Sequence, residues 1–305
     1  MAVRRIVGKA AIEFSPMSSE HQLRQQMIQI GHLLYERRLL VALDGNISAL
    51  LPSGDILCTK AGCHKGFLTD DDLIVVDRQG KLKRGNGKPT SELWMHIACY
   101  DERPDCRAVV HAHPPIAIAF TLAGVSLDRC VLPEVVLVLG TVPTVPYETT
   151  GTHALADSIR SYVKEHDAIL MDTHGAVCLG TSLMEAFCRL EIVEHTAIII
   201  KTARDLGDVK ELPPEEAVHL RRMGLKRYGG PPSAVAKADE PCADLPGVCT
   251  GCEEHPPEVT PSVGSPPRLD LKVVRDALQE PTAAVGEGVL SVIEEEVLRA
   301  LGEDR

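Results

Sequence analysis

The chain has 305 residues and a net charge of -11 at pH 7, with 43 acidic against 32 basic residues. This balance argues against a protein that binds nucleic acid through a basic surface, and no apolar run approaches the roughly 20 residues of a membrane span. Ten cysteines in a chain of this length are more typical of reduced thiols than of a disulfide framework. We therefore expect a cytoplasmic protein without a recognisable export signal.

The first hundred residues predict a helix, three strands and a second helix. Apolar residues at helical spacing predict the first helix over residues 18–38. A turn signal at Pro52–Asp55 separates two of the strands and favours an antiparallel hairpin. The predicted strands are residues 46–50, 55–59 and 73–77. Thr90 and Ser91 then open the second helix, with Glu92 in its first turn.

A His-x-His pair in the next apolar run is the strongest chemical signal of the chain. Side chains of a strand alternate between its faces, so His111 and His113 point to the same side. A surface pair would show the same spacing, but two further segments favour metal ligands. His174 lies where the buried strand Ala168–Met171 breaks at a glycine. With the carboxylate of Glu92, the three imidazoles form a donor set typical of zinc.

The remaining elements up to residue 228 alternate irregularly between helix and strand. Predicted helices are residues 115–123, 153–163 and 182–204, and a further strand is residues 142–147. Because this order is not a regular β-α-β series, we expect an α/β protein with a mixed, largely antiparallel sheet covered by helices on both faces.

Composition changes abruptly after Tyr228. Residues 229–267 contain nine prolines and predict an extended linker, and residues 268–305 regain helical patterning. We therefore predict a catalytic domain at 1–228, a Pro-rich linker at 229–267 and a flexible C-terminal extension with a helical tail at 268–305. In the linker, a Cys-x-x-Cys core suggests a zinc site, although free thiols are the default. The residues of that cluster are Cys242, Cys249, Cys252 and His255.

The ordered motifs over about residues 18–228 resemble those of the class II aldolase and adducin family. The matching segments are Gly45–Ser48, Thr59–Gly62, Thr90–Glu92, His111–Pro114, Val145–Glu148 and Thr173–Gly175. The resemblance implies a three-layer α/β/α sandwich. It also implies a homotetramer whose active sites lie at subunit borders.

The resemblance further implies the site residues. His111, His113 and His174 would bind Zn²⁺ or another divalent metal, and Glu92 would be both a labile ligand and the catalytic base. The expected phosphate cradle is Asn46, Ala61, Gly62, Thr90 and Ser91. A glutamate at position 92 favours aldol cleavage of a ketose 1-phosphate to dihydroxyacetone phosphate and an aldehyde, through an enediolate that the ion stabilises.

Two departures from the family's aldolases leave other reactions open. Leu132 stands where they have a tyrosine proton donor, and Leu43 stands where they have a threonine near the phosphate. Glu134 is an alternative acid and resembles a glutamate of the family's dehydratase branch, although a helix-cap or interface carboxylate fits as well. A dehydratase or epimerase of the same family is therefore the alternative. Packing or second-shell roles are expected for His96, His153 and His195.

The tail suggests a partner. Its apolar stripe resembles the encapsulation peptides of bacterial microcompartment enzymes, so a shell protein is a candidate partner and a microcompartment a candidate location. The stripe consists of Leu290, Ile293, Val297 and Leu301. Docking of the same helix on the chain's own tetramer is the alternative. An adducin-like interaction module, the non-enzyme alternative, would go with loss of the metal ligands, and all four are present.

Overall fold

The computed structural model describes residues Ser19–Lys237. Eight strands form one sheet with helices on both faces, which confirms the predicted three-layer α/β/α sandwich. The helices are α1 (Glu20–Glu36), α2 (Leu93–Glu102), α3 (Pro115–Leu122), α4 (Pro133–Val138), α5 (His153–Val163), α6 (Leu183–Leu206), α7 (Pro214–Tyr228) and α8 (Pro232–Lys237). The strands are β1 (Asn46–Leu50), β2 (Ile56–Thr59), β3 (Leu73–Val76), β4 (Leu82–Arg84), β5 (Ala108–Ala112), β6 (Thr144–Val145), β7 (Ala168–Met171) and β8 (Gly175–Gly180). The tail and the cysteine cluster of the predicted linker lie outside the described residues.

The sheet is antiparallel except at one edge. Its strand order is β4-β3-β2-β1-β5-β8-β7-β6, and only β6 and β7 pair in parallel. In the middle of the sheet, Asn46 of β1 lies opposite His111 of β5, and Ala112 lies opposite Ala176 of β8. This register brings the start of β1, the end of β5 and the turn before β8 to one place.

Each face of the sheet is buried under its own layer of helices. Along β5, Val110 packs with apolar residues of α1 and α6, whereas Val109 packs with those of α2 and α5. The strand therefore has no solvent face, and burial of both sides explains its continuous apolar sequence. Within Ser19–Lys237, none of the helices has the length and apolar composition needed to cross a membrane.

The starts of α1 and α6 are capped by serine side chains, whereas the start of α2 is not. Ser19 caps α1 in a capping box with Gln22, and Ser182 caps α6 by accepting from the Glu185 N–H. The start of α2 differs from the prediction, because Glu92 precedes the helix instead of lying in its first turn. Its side chain makes no capping hydrogen bond there, so the carboxylate is available to the histidines.

Several elements were not predicted from the sequence: β4, β8, α4, α7 and α8. Gly175 begins β8 and does not simply end the preceding strand, because β7 and β8 form a tight antiparallel hairpin. Helix α8 lies within the first residues of the predicted linker, and its buried Ala234 packs against Leu225 of α7.

Candidate metal centre

Three histidines from two neighbouring strands converge at one end of the sheet. His111 lies in β5, His113 follows that strand directly, and His174 lies in the turn between β7 and β8. Because β5 pairs with β8, the turn brings His174 over the His-x-His pair. One ring nitrogen of each histidine lies within 4.8 Å of those of the others, so the three side chains could hold a metal ion.

Glu92 reaches into this cluster from the start of α2. Its Oε2 atom lies 3.2 Å from His111 Nε2, and its Oε1 atom lies 3.1 Å from His174 Nε2. The buried Oε1 atom nevertheless has no hydrogen-bond partner among the described residues. A buried carboxylate oxygen without a donor, next to three imidazoles, fits a site built for a cation.

The partners of the outer ring nitrogens also fit a metal site. His111 Nδ1 lies 2.9 Å from the carbonyl oxygen of Ala176, to which it donates, so its Nε2 lone pair faces the cluster. His113 Nδ1 lies 3.4 Å from Asp44 Oδ2, and its Nε2 lies 3.2 Å from His111 Nε2. Asp44 was missed from the sequence, where it is merely the residue before the Gly45 turn.

Burial and charge shift the pKa values of Glu92 and of two of the histidines in different directions. Burial lowers the pKa of His113 to about 4, aided by repulsion from His111 and His174. Burial raises the pKa of Glu92, but attraction to His111 and His174 outweighs it and holds that pKa well below its usual range. Burial lowers the pKa of His111, but attraction to Glu92 outweighs it and raises that pKa. The carboxylate is therefore ready to bind a divalent cation, and binding would displace a proton from His111.

The backbone around the histidines leaves no room for a side chain at Gly175. A Cβ atom there would lie 2.6 Å from the Ala112 carbonyl oxygen, 2.9 Å from His113 Cδ2 and 3.0 Å from His111 Cε1. The preceding Thr173 has a φ of 56°, which is unusual for a non-glycine residue. The hairpin is therefore shaped to bring His174 against the other two rings.

The segments of the predicted phosphate cradle also lie together. The Ala61 N–H donates to the Lys88 carbonyl at 2.8 Å, which places the Ala61–Gly62 turn beside Thr90 and Ser91. Ala61, Gly62 and Ser91 are exposed. A Cβ atom at Gly62 would have no neighbour within 4 Å, so this turn opens to solvent.

Asn46 differs from the other predicted cradle residues because its side chain is buried. It is 3% exposed, and its Nδ2 atom donates to Glu92 Oε2 at 2.8 Å. The Oδ1 atom is bonded to His96. Both polar atoms of the amide therefore have protein partners.

A buried lysine lies beside the cradle and was not recognised from the sequence. Lys65 is 3% exposed, and its Nζ atom donates to the carbonyl oxygens of Leu43 and Cys63. Burial lowers its pKa, which neighbouring acidic groups partly counteract. Lys65 thus joins the turn before β1 to the turn after β2, and its positive charge lies close to Glu92 and Asp44.

Glu134 lies in a surface cavity whose lining contains none of the three histidines. This glutamate is exposed in the first turn of α4. It lines a cavity of about 470 Å³ with Leu132, Arg37 and residues of α6. As an acid, Glu134 would have to act from this separate cavity.

Comparisons with known proteins agree with this geometry. A family model described as the class II aldolase and adducin N-terminal domain matches residues 25–200. The 3-oxo-tetronate 4-phosphate decarboxylase of Escherichia coli K12 is 34% identical over 208 residues, which cover 66% of this chain and 96% of that protein. The L-fuculose phosphate aldolase of Methanococcus vannielii is 37% identical over 173 residues, covering 57% and 92% respectively. The crystal structure of YgbL from Klebsiella pneumoniae has a TM-score of 0.63 at 36% identity, covering 67% of this chain and 100% of that one.

Proposed function

The chain belongs to the class II aldolase and adducin family, and we propose that it is a zinc-dependent lyase that breaks a carbon–carbon bond of a phosphorylated sugar. In the form we favour, a ketose 1-phosphate of the fuculose, rhamnulose or deoxypentulose type yields dihydroxyacetone phosphate and an aldehyde. The observation that carries the proposal is the position of Glu92, whose carboxylate lies between His111 and His174.

Each residue of the site has a separate role in this proposal. His111, His113 and His174 would hold the divalent ion, with Glu92 as a ligand that leaves when substrate enters. When bound, the ion would act as a Lewis acid on the hydroxyl and carbonyl oxygens of the sugar. Cleavage turns a substrate hydroxyl into the aldehyde carbonyl, and the proton that this hydroxyl loses balances the one that Glu92 would deliver to the carbon next to the ketone carbonyl. The Ala61–Gly62 turn and Ser91 would bind the phosphate through N–H and hydroxyl groups.

A decarboxylase is the second candidate, and a specific observation favours it. The E. coli relative that matches along 96% of its length is a 3-oxo-tetronate 4-phosphate decarboxylase. Loss of carbon dioxide from a 3-oxo acid and retro-aldol cleavage both leave negative charge on the carbon next to a carbonyl group. The same cation and the same carboxylate would therefore serve either reaction. The dehydratase and epimerase alternatives differ from both, because the carbon chain stays intact.

The assembly and location that we propose follow the family resemblance. We propose a cytoplasmic homotetramer with active sites at the subunit borders. The position of Glu134 supports this arrangement, because an acid in a separate surface cavity can serve the site of an adjacent subunit. A microcompartment shell protein that binds the C-terminal tail is part of the same proposal.

The function is tested by metal analysis and a substrate panel. We expect about one divalent ion per chain, and release of dihydroxyacetone phosphate from fuculose, rhamnulose or deoxypentulose 1-phosphate in a coupled assay. Ribulose 5-phosphate tests for epimerisation, and 3-oxo-tetronate 4-phosphate tests for release of carbon dioxide. A product with its carbon chain intact would overturn the lyase proposal. Carbon dioxide and dihydroxyacetone phosphate from 3-oxo-tetronate 4-phosphate, with no cleavage of the ketose 1-phosphates, would establish the second candidate.

Two variants connect this activity to the site. Replacing His111, His113 and His174 together by alanine should remove the ion while circular dichroism shows a retained fold. Glu92→Gln keeps the side-chain shape and should lower turnover by ~10²-fold or more. Glu36→Gln, at an exposed glutamate of α1, is the matched control and should leave turnover unchanged. Full metal occupancy in the triple variant would refute the assigned ligands.

A further inference from the structure

A line of buried polar side chains runs from the helix α2 to the carboxylate of Glu92. Tyr100 OH lies 2.7 Å from Ser48 Oγ, which lies 2.7 Å from His96 Nδ1. On the other side of the ring, His96 Nε2 bonds Asn46 Oδ1, and Asn46 Nδ2 donates to Glu92 Oε2 at 2.8 Å. Tyr100, Ser48, His96 and Asn46 are each no more than 4% exposed.

The anionic end of this line determines the direction of every hydrogen bond in it. The Glu92 carboxylate can only accept, so Asn46 must present its NH₂ group to Glu92 and its Oδ1 atom to His96. Therefore His96 must donate from Nε2. A neutral histidine then accepts at Nδ1, and Ser48 is the donor. Since the Ser48 proton is used, its oxygen accepts from the Tyr100 hydroxyl. Burial lowers the pKa of His96 to about 3, consistent with one proton on its ring.

We propose that His96, oriented by Ser48 and Tyr100, is a positioning residue that holds the Asn46 amide group against Glu92. This proposal deepens, and rests on, the function given above, because it concerns the carboxylate to which the proton transfer is assigned. A rotated Asn46 amide would put its oxygen against the carboxylate, where two acceptors repel each other. The buried line prevents that rotation, so Glu92 keeps its place whether or not it is bound to a cation.

Because these side chains are buried, the loss of one hydrogen bond in the line should affect the others. The helix α2 packs its apolar residues on the sheet, and His96 and Tyr100 are polar groups inside that layer. Each polar atom of the line has a partner, so the cost of burying it is met only while all the partners are in place. Removing the Ser48 hydroxyl, which is three hydrogen bonds away from Glu92, should therefore change the orientation of Asn46.

The experiment measures the histidine tautomer and the kinetics of Ser48→Ala. In protein with ¹⁵N-labelled histidine, His96 should be the Nε2–H tautomer with a hydrogen-bonded Nδ1, and Ser48→Ala should shift the Nδ1 resonance to that of a free acceptor. The Asn46 side-chain amide protons should lose protection against exchange. Turnover should fall by about 10-fold, with KM changed less than about 2-fold and metal content unchanged.

Controls separate positioning from general damage. Tyr100→Phe keeps the shape of the core and should lower turnover less than Ser48→Ala, since Ser48 can still donate to His96. Ser158→Ala removes a helix hydroxyl that donates to the Leu155 carbonyl at 2.9 Å, and it should change neither readout. Unfolding temperatures show which variants are folded.

Several results would overturn the proposal: an Nδ1–H or doubly protonated His96, unchanged Asn46 protection in Ser48→Ala, or wild-type turnover in that variant. If no sugar phosphate is turned over, the proposed function fails by itself. The tautomer and exchange measurements then still decide whether the line of hydrogen bonds exists.

Discussion

At the scale of single residues, Gly175 is a position of the candidate metal centre that leaves no room for a larger side chain. The three atoms that its Cβ would contact include a backbone carbonyl and two ring atoms of ligand candidates. A methyl group there has to displace the rings, since the paired backbone of β5 and β8 cannot move independently. The glycine is therefore required by close approach and not by backbone conformation.

We predict that Gly175→Ala lowers metal affinity by ~10-fold or more, because the added methyl group separates the imidazoles. Isothermal titration with Zn²⁺ measures the effect. Gly54→Ala is the matched control: this glycine has a φ of 85° but open space around its Cβ position. The control should cost about 1 kcal/mol of unfolding free energy and leave metal affinity intact. Equal affinities for Zn²⁺ in wild type and Gly175→Ala would contradict the prediction.

Glu134 gives a second prediction at this scale. If it donates the proton that the family's tyrosine supplies elsewhere, Glu134→Gln should lower turnover by ~10²-fold. Metal content and the elution volume of the assembly should not change. Glu191→Gln changes another glutamate of the same cavity and should have a smaller effect. Wild-type turnover in Glu134→Gln would leave Glu134 as an interface or helix-cap carboxylate.

At the scale of elements, one buried carboxylate joins helices from both faces of the sheet. Asp167, which directly precedes β7, is fully buried. Its Oδ1 atom lies 2.7 Å from Arg103 at the end of α2, and its Oδ2 atom lies 3.1 Å from Arg189 of α6. Arg103 also donates to the Val163 carbonyl at the end of α5. The start of β7 is thus held to both helical layers by one ionic cluster.

We predict that Asp167→Asn lowers the unfolding free energy by about 3–5 kcal/mol, because two buried guanidinium groups lose their shared anion. Urea unfolding followed by circular dichroism measures the change. Asp157→Asn is the control, because its carboxylate is 71% exposed and pairs with Arg160 at the surface. That variant should change stability by less than about 1 kcal/mol. Similar losses in the two variants would show that the cluster adds nothing beyond a surface pair.

At the scale of the whole molecule, the candidate metal ligands and the expected phosphate-binding residues all lie within the described residues, and the chain continues for 68 residues after Lys237. We predict that deleting residues 268–305 leaves turnover unchanged and abolishes co-localisation of a fluorescent fusion with shell proteins. The binding of one short apolar stripe is weak, so localisation should depend on many copies of the tail. Loss of turnover in the deletion would instead favour docking of the tail on the enzyme.

Local patterns in the sequence by themselves determined several helices, the shared face of His111 and His113, and the family. Helical spacing of apolar residues predicted α1, α5 and α6. The two-residue period of a strand predicted that His111 and His113 share a face, which depends on no distant contact. Six short motifs in the family's order were enough to indicate the family that the comparisons identify.

Only the tertiary structure decided which other residues belong to the site. Asp44 and Lys65 were not predicted, and they join the predicted Asn46 because β1 pairs with β5 and the adjoining turns then meet. Strand pairing is not encoded in any local period. Strand β8 was missed for the same reason, since its glycines weaken the local signal while its place between β5 and β7 buries it completely. A periodic pattern shows which side a residue faces, but its partner there depends on chain segments that are distant in sequence.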